Sequence, residues 1–324
     1  MKIAVLGAGA WGTALALNAL RAGHKPHLWA RDPGLAEQIM SGSNSRYLPD
    51  IALDDGLTAS AEMEATLEQA ELVLAVTPAQ TLRSVLSNAK PHLSLDIPIV
   101  LCAKGIERES GKLMSQLARE VLPYNPIGAL SGPSFATDVA KGLPTAVTVA
   151  AVDEALARDL AQKLSGPHLR CYATDDLTGV ELGGALKNVL AIAAGATQGA
   201  GLGASAVAAI ITRGFVELRR IARSFGAREE TLMGLSGLGD LILTCSSAQS
   251  RNFAYGLALG RGENLDGRPL AEGVHSAGIA ASIVERKGFD APIIQSVSDL
   301  IEGRVTVENA MKALLSRPLK NEAG

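Results

Sequence analysis

The stretch Lys2-Ile3-Ala4-Val5-Leu6-Gly7-Ala8-Gly9-Ala10-Trp11-Gly12 decides how the first half of this chain folds. A short apolar run ends in glycine, and a helical stretch, Thr13 to Gly23, follows almost at once. Gly7, Gly9 and Gly12 therefore form a GxGxxG that leaves a strand and opens a helix. Gly7 permits the tight turn, Gly9 lets the backbone approach a pyrophosphate, and Gly12 allows close packing of helix on strand. The helix N-terminus offers N–H groups and a positive dipole end to the phosphates. A glycine hexapeptide alone is a common turn; in this setting it marks a dinucleotide site.

Outward from that turn, strands and helices alternate. HKPHLWA (24–30), ELVLAVT (71–77), PIVLCAK (98–104), IGALSG (127–132), TAVTVAA (145–151) and LRCYAT (169–174) read as further strands. Continuous apolar strands separated by helical stretches such as DPGLAEQIM (32–40) indicate a mainly parallel sheet covered on both faces. Beyond Asp176 the strand signals stop. Helical patterns cover 177–196, 205–225, 270–287 and 305–315, the last with Thr306 as its cap. The expected fold is α/β: a Rossmann-type, doubly wound domain over 1–175, followed by an all-α domain over 176–324.

Composition bounds the function. The chain has 324 residues, is 47% hydrophobic and 19% charged, and carries 34 glycines. Two domains are the natural expectation at that length. The net charge is −3, with basic residues dispersed, so no nucleic-acid partner is indicated. Cys102, Cys171 and Cys245 are far apart and the histidines form no ligand pair, so no metal and a reducing compartment are expected. MKIAVLGAGAWG shows no cleavage pattern of a signal peptide. From Asn188 to Thr212 there is no charge, long enough to suggest a membrane span. GAGLGAS (199–205) interrupts it, and two buried helices meeting at a glycine turn are the better reading; no span is expected.

Several side chains then ask for ligands. An acidic residue at the end of the second strand would hold ribose hydroxyls; here Arg31 stands there and can pair with a 2′-phosphate. Asp32 can instead cap the helix opening at Pro33. NADP is expected to be accepted, and NAD stays open beside it. Tyr47 lines the adenine end or is a loop residue. Lys104 ends a buried strand, and strand ends of a parallel sheet open on the ligand crevice. Ser131 to Ala136, SGPSFA, is a second strand-end turn, with Gly132 and Ser134 exposing donors. Ser250-Arg251-Asn252 opens a helix and supplies a hydroxyl, a guanidinium and an amide. Together they suit a small phosphorylated ligand.

Gly179 to Ala191, GVELGGALKNVLA, sets Lys187 among small and apolar residues beside Asn188. Out of water a lysine loses part of its preference for the charged form, which suits proton transfer. It can also snorkel, its stem covering apolar neighbours. Reduction of a ketone by hydride puts negative charge on oxygen, and an ammonium in reach stabilises it and delivers the proton. Lys187 is the first candidate and Lys104 the second. Asp240 either orients Lys187 or a substrate hydroxyl, or caps a helix.

GAGAWGTALA, CAKGIE, LSGPSFA, ELGGALKNVLAIAAG, LSGLGDLILTCSS and SRN, in that order, resemble the bacterial and archaeal NAD(P)-dependent glycerol-3-phosphate dehydrogenases, over nearly the whole chain. The lysine, GLGD and SRN motifs are specific to that family; the glycine fingerprint is shared widely. The resemblance implies a cytoplasmic enzyme interconverting dihydroxyacetone phosphate and sn-glycerol 3-phosphate for glycerophospholipid synthesis, with a homodimer among the assemblies open to it. It implies Lys187 as catalytic acid/base, and Lys104, Gly132, Ser134, Asp240, Ser250, Arg251 and Asn252 as substrate residues. Ala10, Trp11, Arg31, Lys104, Ala136, Arg251, Leu270 and Glu272 would contact the cofactor. Two departures stand out: Ala10 replaces a serine common in the family, and His275-Ser276 is atypical beside Glu272. A dehydrogenase of β-hydroxy acids and a non-catalytic dinucleotide sensor are the other classes open to such a chain.

Overall fold

Strand β1 (Lys2–Leu6) sends side chains to both faces of its sheet, and both faces are buried. Ile3 and Val5 enter one core cluster, Ala4 and Leu6 the other. The structure, a computed structural model, describes residues 1–318. The remaining strands are β2 (Lys25–Trp29), β3 (Thr58–Ser60), β4 (Leu72–Ala75), β5 (Ile99–Leu101), β6 (Ile127–Ser131), β7 (Thr145–Ala151) and β8 (Leu169–Thr174). They form one eight-stranded sheet in the order β3-β2-β1-β4-β5-β6-β7-β8. Neighbours are parallel except β6 and β7. The order reverses between β1 and β4, the switch point at which such sheets open a crevice for ligands. This is the expected doubly wound fold.

Helices Ala10–Arg21 and Glu154–Leu164 cover one face with Ala14, Leu15, Leu17, Leu160 and Leu164. Helices Leu82–Ala89 and Met114–Val121 cover the other with Leu82, Leu86, Leu117 and Ala118. Leu177 and Val180, in the first turns of the long helix Leu177–Gly199, join this second cluster. Asp176 adds to the anchoring: its carboxylate accepts from Gly179 N–H and Arg228 N–H, each at 2.8 Å. Accordingly the sheet-bearing unit comprises Met1–Gly184 and Phe225–Asp240. Strands do end at Thr174, but the expected division after residue 175 is displaced, because apolar burial carries the unit into the helix.

The second unit takes Ala185–Ser224 and the chain from Leu241 onward, and its regular elements among the described residues are helices; residues 319–324 of the expected helical half lie outside the described ones. Its helices include Ala204–Arg223, Arg251–Gly260, Glu272–Lys287, Pro292–Ile301 and Val307–Leu315, which Thr306 caps by accepting from Asn309 N–H. A Cβ at Gly195 would stand 2.2 Å from the Phe253 carbonyl, and one at Gly256 2.2 Å from that of Ile192. Two helices thus meet backbone to backbone, which explains the uncharged, glycine- and alanine-rich run. By length and composition Leu177–Gly199 could cross a membrane, yet 94% of its most apolar window is buried within the protein. It is a core helix, ending in a turn at Gly201 and Gly203, both with positive φ.

Candidate active site

Two of the three fingerprint glycines are required by the chain's own packing. Gly7 has φ +121°, and a Cβ there would lie 2.5 Å from the Val76 carbonyl oxygen. One at Gly12 would lie 1.8 Å from the oxygen of Gly7. Gly9 differs: nothing stands within 4 Å of its Cβ position, and it precedes the helix Ala10–Arg21 without a side-chain cap. An open cradle at a helix N-terminus is what a pyrophosphate requires. Beside it, the indole N–H of Trp11 and the hydroxyl of Thr77 are buried without a hydrogen-bond partner. The fit to a dinucleotide is therefore good. Beneath the turn, Asn44 donates to the Ala8 carbonyl at 3.1 Å and the Thr13 hydroxyl at 2.9 Å. No sequence signal points to this support, since Asn44 lies 36 residues from Ala8 in an irregular segment.

At the end of β2, Arg31 is exposed. Asp32 caps the helix Pro33–Met40 through Gly34 N–H at 3.0 Å, and lies 3.9 Å from Arg46. The Arg46 guanidinium sits 5.2 Å over the half-exposed Tyr47 ring. Asp32 is thus occupied by a cap and an arginine.

In the same unit the structure gathers Lys104, Gly132, Ser134 and Asp240. The ammonium of Lys104 donates to Asp240 Oδ2 at 2.7 Å and to the Gly132 carbonyl at 3.2 Å; the Ser134 hydroxyl donates to that carbonyl at 3.1 Å. Asp240 is 2% exposed and the Lys104 side chain 18%. Lys104 does not end its strand, as the sequence suggested: β5 stops at Leu101 and Lys104 follows in irregular chain. Asp240 emerges from a π-helical turn, Leu235–Gly239, a form frequent at functional sites. Gly183 and Gly184 let the long helix approach this cluster. A Cβ on the first would meet the Ser236 carbonyl at 2.8 Å, and on the second the Ser131 hydroxyl at 2.9 Å. Burial pushes the Cys102 thiol up to about 12, so it is no nucleophile at neutral pH. Ala136 opens the short helix Ala136–Ala140.

The helical unit holds Lys187, 5% exposed, with its ammonium donating to the buried hydroxyl of Thr244 at 2.7 Å. Thr244 was not recognised from the sequence. Its only hint is its place four residues after Asp240 on the helix Asp240–Cys245. Asn252 donates to the Asn188 side-chain oxygen at 2.9 Å and accepts from Gly273 N–H at 2.8 Å, which ties it to the residue beside Lys187. Ser250 has its hydroxyl in the cap of Arg251–Gly260, accepting from Phe253 N–H at 3.3 Å. Arg251 is exposed at the first position of that helix. Glu272 opens the helix Glu272–Lys287, and Leu270 is exposed two residues before it. Among the described residues no cluster of three or more His, Cys, Asp or Glu could hold a metal.

Comparison with known proteins identifies the family. Residues 2–157 match the family model of the NAD-dependent glycerol-3-phosphate dehydrogenase N-terminus, and residues 176–312 that of its C-terminus. A glycerol-3-phosphate dehydrogenase [NAD(P)+] of Chelativorans sp. is 69% identical over 321 residues, covering 99% of this chain and 98% of its own. Another, of Mesorhizobium japonicum, is 64% identical, covering 99% and 94%. The crystal structure of glycerol-3-phosphate dehydrogenase from Coxiella burnetii superposes with a TM-score of 0.92 at 37% identity, covering 98% of this chain and 99% of that one. The chain belongs to the NAD-dependent glycerol-3-phosphate dehydrogenase family, and it is an oxidoreductase that uses NAD or NADP.

Proposed function

We propose that this enzyme interconverts dihydroxyacetone phosphate and sn-glycerol 3-phosphate in the cytoplasm, for glycerophospholipid synthesis. In this reading the sheet-bearing unit binds the cofactor and the helical unit supplies the acid. The observation that carries it is Lys187, a buried ammonium donating to a hydroxyl. Hydride for the carbonyl carbon would come from the nicotinamide of a cofactor held at the Gly7–Gly12 turn. Negative charge gathers on the carbonyl oxygen, and Lys187 stabilises it and donates the proton; in reverse its neutral amine takes the proton back. Thr244 can follow the lysine through both forms, because a hydroxyl accepts from an ammonium and donates to an amine. Asn188, steadied by Asn252, orients the carbonyl. Lys104, held by Asp240 and the Gly132 carbonyl, brings positive charge to the substrate phosphate, with Arg251 and Asn252 as further donors.

Gly7, Gly9, Ala10, Trp11 and Gly12 would hold the pyrophosphate, and Arg31 and Tyr47 the adenosine end. With Asp32 capping a helix and close to Arg46, a 2′-phosphate meets little opposing charge, which supports NADP use alongside NAD. The test follows oxidation of reduced cofactor with dihydroxyacetone phosphate, plain dihydroxyacetone and a β-keto acid. Strong preference for the phosphorylated ketone is expected, and Arg251→Ala should erase most of it. Turnover of the β-keto acid instead would return the chain to the β-hydroxy-acid class.

A further inference from the structure

Lys104 stands three residues beyond the end of β5, so the sheet ladder does not fix it. The loop after it is closed on itself. Ile106 bridges to Leu113, Glu107 N–H donates to the Lys112 carbonyl, and Gly111 N–H to that of Glu107, the last two at 2.9 Å. At its centre is the Glu107 carboxylate, in a residue only 7% exposed. Arg83, on the helix Leu82–Ala89, forks onto it with Nε 2.7 Å from Oε1 and Nη2 2.8 Å from Oε2. The Ser110 hydroxyl donates to the same group, and Arg83 Nη2 also reaches Glu120 at 2.8 Å. Gln80 grips the loop by its backbone: its amide donates to the Ile106 carbonyl and accepts from Arg108 N–H, each at 2.9 Å.

None of these groups takes part in the proposed chemistry. A bidentate arginine on a nearly buried carboxylate is a geometrically demanding contact. It is more than a connecting loop requires, since such loops are ordinarily mobile. The Arg83 guanidinium also holds the Glu107 carboxyl below the usual carboxylate range. We infer that Arg83, Glu107 and Gln80 form a clamp that positions Lys104 for the substrate phosphate. Only two residues separate Lys104 from Glu107, and each peptide link is rigid. A displacement of the loop therefore reaches Lys104 and competes with its bonds to Asp240 and Gly132. This inference rests on the reading of Lys104 as the substrate's phosphate holder.

The experiment is steady-state kinetics of the full enzyme carrying Arg83→Met, Arg83→Lys, Glu107→Gln or Lys104→Met, with thermal melting alongside. Misplacing a binding group by about 1 Å can cost up to ~10²-fold, so Arg83→Met should raise KM for dihydroxyacetone phosphate about tenfold. Its kcat and KM for NADPH should stay within about twofold of the parent. Arg83→Lys, which keeps charge without the fork, and Glu107→Gln, which keeps shape without charge, should fall between. A purely structural clamp would lower the melting temperature and leave the folded enzyme's KM unchanged, and that result overturns the inference. If Lys104→Met also leaves KM unchanged, the reading of Lys104 fails with it; if only Arg83→Met is silent, the inference fails alone. Should Arg83→Met not fold, Gln80→Leu releases the loop's backbone while sparing the ion pairs. It is judged by the same KM, and an unchanged value overturns the inference equally.

Discussion

The two candidate lysines, one in each unit, are held in different ways. In the sheet-bearing unit Lys104 donates to a buried carboxylate and a carbonyl. In the helical unit Lys187 is more deeply buried and donates to a hydroxyl. A carboxylate acts as an acceptor only and suits a lysine that must stay an ammonium. The threonine hydroxyl is acceptor and donor at once, so its partner can lose a proton without leaving an unsatisfied group. On the proposed reading, the hydroxyl beside Lys187 suits a lysine that exchanges a proton, and the carboxylate beside Lys104 one that stays charged.

That contrast breaks most easily at Lys187. Lys187→Ala should lower kcat by about 10²–10⁴-fold, the usual loss with a general acid, while cofactor affinity measured by fluorescence titration stays near normal. A fall of less than about tenfold would move the acid/base role to Lys104. Lys104→Met should act on binding instead, raising KM for dihydroxyacetone phosphate by about 10–150-fold, as expected for a charged hydrogen bond. Were kcat to collapse with KM unmoved, the two roles would have been assigned the wrong way round.

Thr244 sharpens the comparison further. Thr244→Val preserves shape and removes the hydroxyl; kcat should drop by about 2–10-fold, with Thr244→Ser restoring most of it. An effect on KM alone would make the hydroxyl a substrate contact.

The last expectation concerns stability, because each unit also buries a carboxylate on a helix N-terminus. Glu181 accepts from Ser115 N–H at 2.7 Å, and Glu217 from Ile293 and Ile294 N–H at about 3.0 Å. Burial raises both to about 7, above the ordinary 4.5. The folded state then binds more protons than the unfolded one between those values. The stabilisation this gives is complete below about pH 4.5 and is lost as pH rises through about 7. Urea unfolding of Glu217→Gln, which cannot titrate, should show a stability difference from the parent that grows more favourable to the variant as pH rises. The swing should reach at most roughly 3 kcal/mol. A difference flat with pH would show that Glu217 stays ionised on its helix.

The sheet was readable because buried parallel strands are continuous apolar runs, and β1, β4 and β6 show that plainly. β3, Thr58–Ser60, was missed: it is short, only partly buried and has no apolar period. The helix Pro292–Ile301 also went unread, although its proline at the first turn is a start signal. Lys187, Lys104, Asp240 and Arg251 stood out in their motifs. Thr244 and Asn44 did not, since their value comes from partners 57 and 31 to 36 residues away, brought near only by folding. The Lys104–Asp240 bond spans 136 residues and was equally invisible.

Gly7 and Gly12 are fixed by the backbone they touch, while Gly9 faces open space. The three are therefore kept by different selections. A descendant that abandoned the cofactor but still had to fold would retain the outer two, and its middle position would drift. In chains of this architecture, an intact middle glycine beside intact flanks is thus a mark of continued use, and a substituted one the mark of a relic.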